Sequence, residues 1–236
     1  MSKAADDVAA RRAAILARLA AQARPDALAL LARYGISGQA AYGIPAPELR
    51  RLAREVGRDH ELAEALWQVP NLDVRGLATL VDDPALVDEA QMERWAAAFD
   101  SWAVCDGATA LFRRSPLAPA KVRDWVRRPE EFVKRAAFSL IAGLAVVRKD
   151  APDAFFADFL PLIERYGDDP RNYVKKAASW ALRVIGKARP ALHGQAVAVA
   201  RRMAAATSPG ARWVGHDALR ELTSDAVRAR LRASRT

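Results

Sequence analysis

Apolar positions along this chain recur at spacings of three and four residues, which is the period of an α-helix. Segments such as "DDVAARRAAILARLAAQA", "PAPELRRLAREV" and "APDAFFADFLPLIERY" follow this period, and no stretch shows the sustained alternation of a strand. Prolines stand at the breaks between these segments or in their first turns, where a missing N–H costs little. The pattern predicts an all-α fold of many short helices joined by tight turns.

Two segments in the second half of the chain are copies of each other. "EEFVKRAAFSLIAGL", beginning at Glu130, matches "RNYVKKAASWALRVI", beginning at Arg171, at an offset of 41 residues. A fainter copy, "RWVGHDALREL", follows at an offset of 40. A period near 40 with two helices per unit is typical of HEAT-type helical repeats, whose units bury one another's apolar faces.

The repeat predicts a single HEAT-like solenoid, an α-α superhelix, over residues 1–236, with frayed termini at 1–6 and 231–236. Such a stack presents a continuous concave surface. If the second helix of each unit lines that surface, Arg135, Lys176 and His216 become successive positions of one basic wall.

One predicted helix carries its largest side chain on its polar face. Val174, Ala178, Leu182 and Ile185 form the apolar face of "RNYVKKAASWALRVIGK". The opposite face, again at intervals of three and four, holds Tyr173, Lys176, Trp180, Arg183 and Lys187. An exposed tryptophan between cations indicates a binding surface.

The segment "FDSWAVCDGATALF" combines an aromatic ring and a carboxylate. Trp102 and Asp106 are four residues apart and share a helix face, which Thr109 and Arg113 continue. Val104, Ala108 and Leu111 form the other side. Placed beside Arg135 and Trp180 of the repeats, this pair gives two indole rings, one anion and one cation on one wall.

Composition narrows the class of partner. The 236 residues have a formal charge of +9, which favours a polyanion, because basic side chains release counterions from phosphates. No run approaches the ~20 apolar residues of a membrane span, and the N-terminus has no signal-peptide core. We expect a cytoplasmic protein, with no membrane partner.

Single residues also have simpler interpretations. Cys105 excludes an internal disulfide, and with no histidine placed near it by sequence it is predicted to be a small buried residue. Trp67, Trp95 and Trp125 fall in ordinary amphipathic helices and are predicted to lie in the core. The histidines are scattered, so no metal site is predicted. The segment "YGISGQAAYGIP" is either a loop that approaches DNA or only a connection.

The chain resembles the AlkD-type DNA alkylation repair enzymes, which are HEAT-like-repeat DNA glycosylases for alkylated purines. The resemblance extends from "YGIPAPELRRLAREV" to "YVKKAASWALRVIGKARP" and is most specific in "SWAVCD", "FVKRAAFSL" and "KKAASW". Family members often carry an acid directly after the first tryptophan, where this chain has Ala103.

The resemblance implies roles for individual residues. Asp106, Trp102, Trp180 and Arg135 correspond to the catalytic positions, and Arg183 corresponds to a contact with the DNA backbone. With Arg183, the neighbouring Lys176, Tyr173 and Lys187 are predicted to bind DNA. The implied activity is base excision repair by a monofunctional glycosylase that releases N3- or N7-alkylated purines from duplex DNA. No cofactor is implied, and we expect a monomer associated with a bacterial-type nucleoid.

Two other functions use the same fold. A non-catalytic HEAT-like module would bind damaged or branched DNA through the same basic wall, but such a binder has no need of Asp106, which repels phosphate. A protein-binding solenoid is disfavoured by the cationic face.

Overall fold

The computed structural model describes residues 3–36 and 40–233 of the protein. The chain forms two compact units, Met1–Ser115 and Pro116–Thr236. Over the described residues every regular element is helical, and the one other pairing is an isolated bridge between Ala40 and Asn71. The all-α prediction is therefore confirmed, and the single domain over 1–236 stays a prediction.

The first unit contains seven α-helices within its described residues. They are α1 (Lys3–Ala21), α2 (Ala27–Arg33), α3 (Ala46–Val56), α4 (His60–Trp67), α5 (Leu72–Val81), α6 (Glu89–Ala96) and α7 (Trp102–Phe112).

The second unit contains eight α-helices in its described part, up to residue 233. They are α8 (Ala118–Trp125), α9 (Glu131–Val147), α10 (Asp153–Ala157), α11 (Leu160–Tyr166), α12 (Asn172–Ala188), α13 (His193–Ala204), α14 (Pro209–Leu222) and α15 (Asp225–Ala233). A 3₁₀ turn, Pro190–Leu192, precedes α13.

Short polar residues begin several helices of the first unit. The side chains of Asp59, Asn71, Asp88 and Ser101 accept hydrogen bonds from backbone N–H groups in the first turns of α4, α5, α6 and α7. Those N–H groups have no partner inside a helix, so each cap fixes where its helix starts.

The segment 151–166 differs from the prediction of one continuous helix. It contains two short helices, α10 and α11, with Pro161 in the first turn of α11. Proline has no N–H to continue the bonding of α10, and it fits at the start of a helix. The apolar period persists across the break, which is why periodicity alone predicts one helix.

The repeat is visible in the second unit. Helices α9 and α12 each have 17 residues, their starts are 41 positions apart, and α12 packs between α9 and α14. The equivalent rings of Phe132 and Tyr173 lie 5.6 Å apart between centroids. The period predicted from the sequence is therefore that of packed neighbouring helices.

In the first unit, α5 packs between α3 and α7. Nearby, the indoles of Trp67 and Trp95 stack with their centroids 4.0 Å apart, and both residues are buried. This core holds α7, which carries Trp102 and Asp106.

The predicted frayed termini are helical where they are described. Helix α1 begins at Lys3 and α15 continues to Ala233. Residues 1–2 and 234–236 lie outside the described residues, as do residues 37–39 of the segment "YGISGQAAYGIP".

Candidate nucleic-acid interface

Helix α7 presents Trp102 and Asp106 at the surface of the first unit. Both residues are partly exposed, whereas Val104, Ala108 and Leu111 are buried, as predicted. Thr109 corrects the predicted face, because it is buried and its hydroxyl donates to the carbonyl of Asp106 at 3.1 Å. A threonine can satisfy its hydroxyl within its own helix, so its polarity does not require exposure.

The indole of Trp102 is held in place by the chain that follows α2. Its Nε1–H donates to the carbonyl oxygen of Tyr34 at 2.9 Å. A tryptophan N–H has this one hydrogen bond to give. The bond fixes the orientation of the ring one helical turn from Asp106.

Residues 42–44, which lead into α3, are anchored by Asp73, which the sequence interpretation did not single out. Its carboxylate accepts from the backbone N–H groups of Tyr42 at 2.7 Å, Gly43 at 2.9 Å and Ile44 at 3.2 Å. The sequence "NLD" could have indicated this role. Asn71 already caps α5, so the carboxylate of Asp73 is not needed as a cap and can accept hydrogen bonds from another segment.

In the second unit, α12 carries the predicted polar face, here called the α12 stripe, which consists of Tyr173, Lys176, Trp180, Arg183 and Lys187. Trp180 is 36% exposed and Lys176 is exposed, whereas Val174, Ala178 and Leu182 are buried. The prediction that this tryptophan lies outside the core is confirmed.

Two cations of the stripe are paired with one acid of α14. Arg183 Nη1 and Lys187 Nζ both donate to the carboxylate of Glu221. Burial raises the pKa of Glu221, but these two bonds outweigh burial and lower it overall. Arg183 Nε also lies 3.7 Å from Asp217. The stripe is therefore less positive than its sequence suggests.

Arg135 and Tyr173 link α9 to α12. Arg135 is 8% exposed, and its Nη1 donates to the backbone carbonyl of Tyr173 at 2.9 Å. Beside them, Lys175 Nζ lies 5.2 Å from the ring centroid of Trp213, a cation–π contact. His216, the predicted third member of the basic wall, is exposed on α14.

Comparison with known proteins places this arrangement in a family. A family model described as DNA alkylation repair enzyme matches residues 15–220. The chain belongs to the DNA alkylation repair enzyme family. This match spans both units and includes every predicted site residue.

A solved structure shares the fold of this chain. The protein in that structure is described as belonging to a new family of proteins related to the HEAT-like repeat DNA glycosylases, with affinity for branched DNA structures. It is 20% identical to this family member, with a TM-score of 0.73 over 80% of this chain and 81% of that one. The HEAT-like fold is thus confirmed. No curated protein matches the sequence.

The predicted burial of Cys105 and of three tryptophans in this repair-family protein is confirmed. Cys105 is fully buried, as are Trp95 and Trp125, and Trp67 is 2% exposed. Within residues 3–36 and 40–233, no group of three or more His, Cys, Asp or Glu side chains is placed to hold a metal ion. No described helix combines the length and apolar character that crossing a membrane requires.

Proposed function

We propose that the protein is a monofunctional DNA glycosylase that hydrolyses the N-glycosidic bond of N3- or N7-alkylated purines in duplex DNA. One observation carries this proposal: in a member of the DNA alkylation repair enzyme family, α7 presents an oriented indole, Trp102, and a carboxylate, Asp106, on the same exposed face.

The chemistry needs few groups. A purine alkylated at N3 or N7 is already cationic, so it leaves without a proton from a general acid. As the bond breaks, the deoxyribose gains positive charge. Asp106 stabilises that charge and orients the attacking water, and the ring face of Trp102 stabilises it further. Water adds to the sugar carbon, its proton is released, and the base departs neutral.

The remaining site residues hold the DNA. Lys176, Arg183, Lys187 and Tyr173 contact the backbone. Arg135, which is buried and bonded to the Tyr173 carbonyl, positions Tyr173 for that contact. The reaction consumes water and needs no cofactor. No lysine is assigned as a nucleophile, so the product is an intact strand with an abasic site.

The test compares the protein with Asp106→Asn in single-turnover release of 7-methylguanine from duplex DNA. Loss of one preorganised electrostatic partner typically slows such a step about a hundredfold to a thousandfold, roughly 3 to 4 kcal/mol. DNA affinity should be retained, because the amide has the same shape and carries no charge that phosphate repels. Asp7→Asn, an exposed acid on α1, is the matched control and should leave the rate unchanged.

Undiminished release by Asp106→Asn would remove this residue from the mechanism. If neither protein released base, the second candidate would stand, a non-catalytic module that binds damaged or branched DNA. The similar solved structure, described with affinity for branched DNA, favours that candidate. Affinity for a four-way junction at least tenfold above that for linear duplex, without base release, would support it.

We also propose that the protein works as a monomer in the cytoplasm, on nucleoid DNA. Light scattering should then give the mass of one chain, 25.7 kDa. A twofold mass would contradict the monomer.

A further inference from the structure

Helices α3, α5 and α7 of the first unit enclose an open cleft of about 420 Å³. It adjoins a second hollow of about 260 Å³, with which it shares Leu49, Gly76 and Gly107. Leu80, 43% exposed, also lines the cleft. The exposed side chain of Leu80 therefore gives the cleft an apolar surface that a ligand can reach.

Four arginines line the same cleft: Arg50 on α3, Arg58, and Arg113 and Arg114 at the end of α7. Arg58 has an acidic partner, Asp83, at 3.6 Å. Over the described residues the other three form no ion pair with an acid. The cleft thus carries cationic groups that are available to an anionic ligand.

The one carboxylate among the lining residues does not neutralise these arginines. Asp82 has a fully buried side chain that accepts from His60 Nδ1 at 2.7 Å and from Gln91 Nε2 at 2.5 Å. Arg113 lies partly buried, and its Nε has no hydrogen-bond acceptor in the described structure. Burial lowers the pKa of Arg113, and the charge of Arg114 lowers it further. A bound anion would accept a hydrogen bond from Arg113 Nε and would offset the repulsion between Arg113 and Arg114.

Gly107 keeps the cleft open, although the packing of α7 does not require a glycine there. A Cβ at Gly107 would meet nothing closer than Thr79 Oγ1, at 3.8 Å. At Gly76, by contrast, a Cβ would lie 3.1 Å from Leu49 Cδ2, so packing accounts for that glycine. Glycine inside a helix lowers its stability relative to alanine, and a bare backbone permits close approach of a ligand.

We propose that this cleft binds an unpaired stretch of a DNA strand, with its phosphates on Arg50, Arg113 and Arg114 and its sugars and bases on the apolar lining. The proposal rests on the proposed action on DNA and adds a second contact region. A duplex turns its bases inward and offers phosphate and sugar, which would leave the apolar lining unused. An unpaired strand presents base faces to Leu80 and Gly107, and guanidinium planes stack on such faces.

The experiment measures binding to a blunt duplex and to the same duplex with a single-stranded overhang, at fixed salt. The protein should bind the overhang substrate at least tenfold more tightly. Arg50→Gln/Arg114→Gln should abolish that gain and change blunt-duplex affinity less than threefold. The control, Arg127→Gln/Arg201→Gln, removes equal charge from two exposed arginines on other elements and should retain the gain.

Three results would overturn the proposal: no gain from the overhang, a gain that survives in the Arg50/Arg114 variant, or an equal loss on both substrates. Equal loss would mean that the cleft arginines bind only duplex backbone. Binding is read without base release, so a protein that excises nothing can still show the overhang gain, and an active glycosylase can lack it.

A second variant separates the cleft from the fold. Gly107→Leu should fill the cleft and reduce the overhang gain at least fivefold. Gly107→Ala, which adds one methyl group without a clash, should raise the melting temperature and retain most of the gain. A full gain in Gly107→Leu, with an unchanged melting temperature, would contradict the cleft as the binding site.

Discussion

Glu221 is predicted to restrain DNA binding by the α12 stripe. Its carboxylate accepts hydrogen bonds from both Arg183 and Lys187. These two side chains are proposed contacts with the DNA backbone, so DNA phosphates must displace the Glu221 carboxylate before they can bind them. Glu221→Gln keeps the shape of the side chain and removes the charge. We therefore expect this substitution to strengthen DNA binding, although it removes two ion pairs from the free protein.

The magnitude follows from the exposure of the three side chains, which is 25% for Arg183, 28% for Lys187 and 32% for Glu221. Ion pairs this accessible to solvent each contribute about 0.2 to 1 kcal/mol. Breaking both ion pairs costs about 0.4 to 2 kcal/mol. Because the Glu221→Gln variant does not have to break them, it should bind DNA about 2- to 30-fold more tightly. The free energy of unfolding should fall by no more than the same amount.

The assay is fluorescence anisotropy with undamaged duplex across a range of salt concentrations, at neutral pH. Its control is Glu164→Gln, which removes equal charge from the pair with Arg202 on other helices. If Glu221→Gln bound DNA no more tightly than the parent, or if the Glu164 variant gained as much, the stripe would not be the surface that Glu221 restrains.

Trp102→Phe keeps a ring but loses the hydrogen bond to the Tyr34 carbonyl. Base release should slow about tenfold, and the free energy of unfolding should fall by less than about 1.5 kcal/mol. An unchanged single-turnover rate would contradict the role of this bond in orienting the ring. Gly215→Ala should cost about 3 kcal/mol or more, because its Cβ would lie 2.2 Å from the Ala204 nitrogen. Gly194→Ala meets nothing within 4 Å and should stabilise by up to about 1 kcal/mol; equal melting temperatures for these two variants would refute the α13–α14 clash. Burial raises the pKa of Asp169, but bonds from Arg171 and Lys134 lower it to about 2 from an ordinary 3.8. The ionised Asp169 stabilises the fold by up to about 2 kcal/mol, an effect that is complete above about pH 4 and is lost as the pH falls through 2. In chemical denaturation, Asp169→Asn should therefore lower the free energy of unfolding at pH 7 and have little effect near pH 2. A loss of stability that did not depend on pH would contradict this.

Much of the fold follows from sequence patterns that are local. Helical periodicity and the copies at Glu130 and Arg171 predict packed helices at an interval that α9 and α12 reproduce. The exposure of Trp180 and the burial of Cys105 are also local consequences of which helix face is apolar. Periodicity misses the break before α11, because Pro161 interrupts backbone bonding without disturbing the apolar pattern.

The candidate site is only partly readable from the sequence. The spacing of Trp102 and Asp106 places them on one face of α7 whatever the rest of the chain does. The acceptor for the indole N–H is 68 residues away, at Tyr34. Tyr34 follows α2 in a connection that has no repetitive pattern, so periodicity gives no sign that its carbonyl lies beside α7.

The sequence by itself determined the helical class, the repeat, the apolar faces and the types of side chain offered to DNA, because these depend on neighbours within a few turns. Tertiary structure decided the charge of those faces. Glu221 neutralises Arg183 from 38 residues away, whereas Arg50 and Arg114, far apart in sequence, line one cleft without acidic partners. Coulomb interactions depend on distance in space, so only the packing of α12 on α14, and of α5 between α3 and α7, settles which cations remain available to bind phosphate.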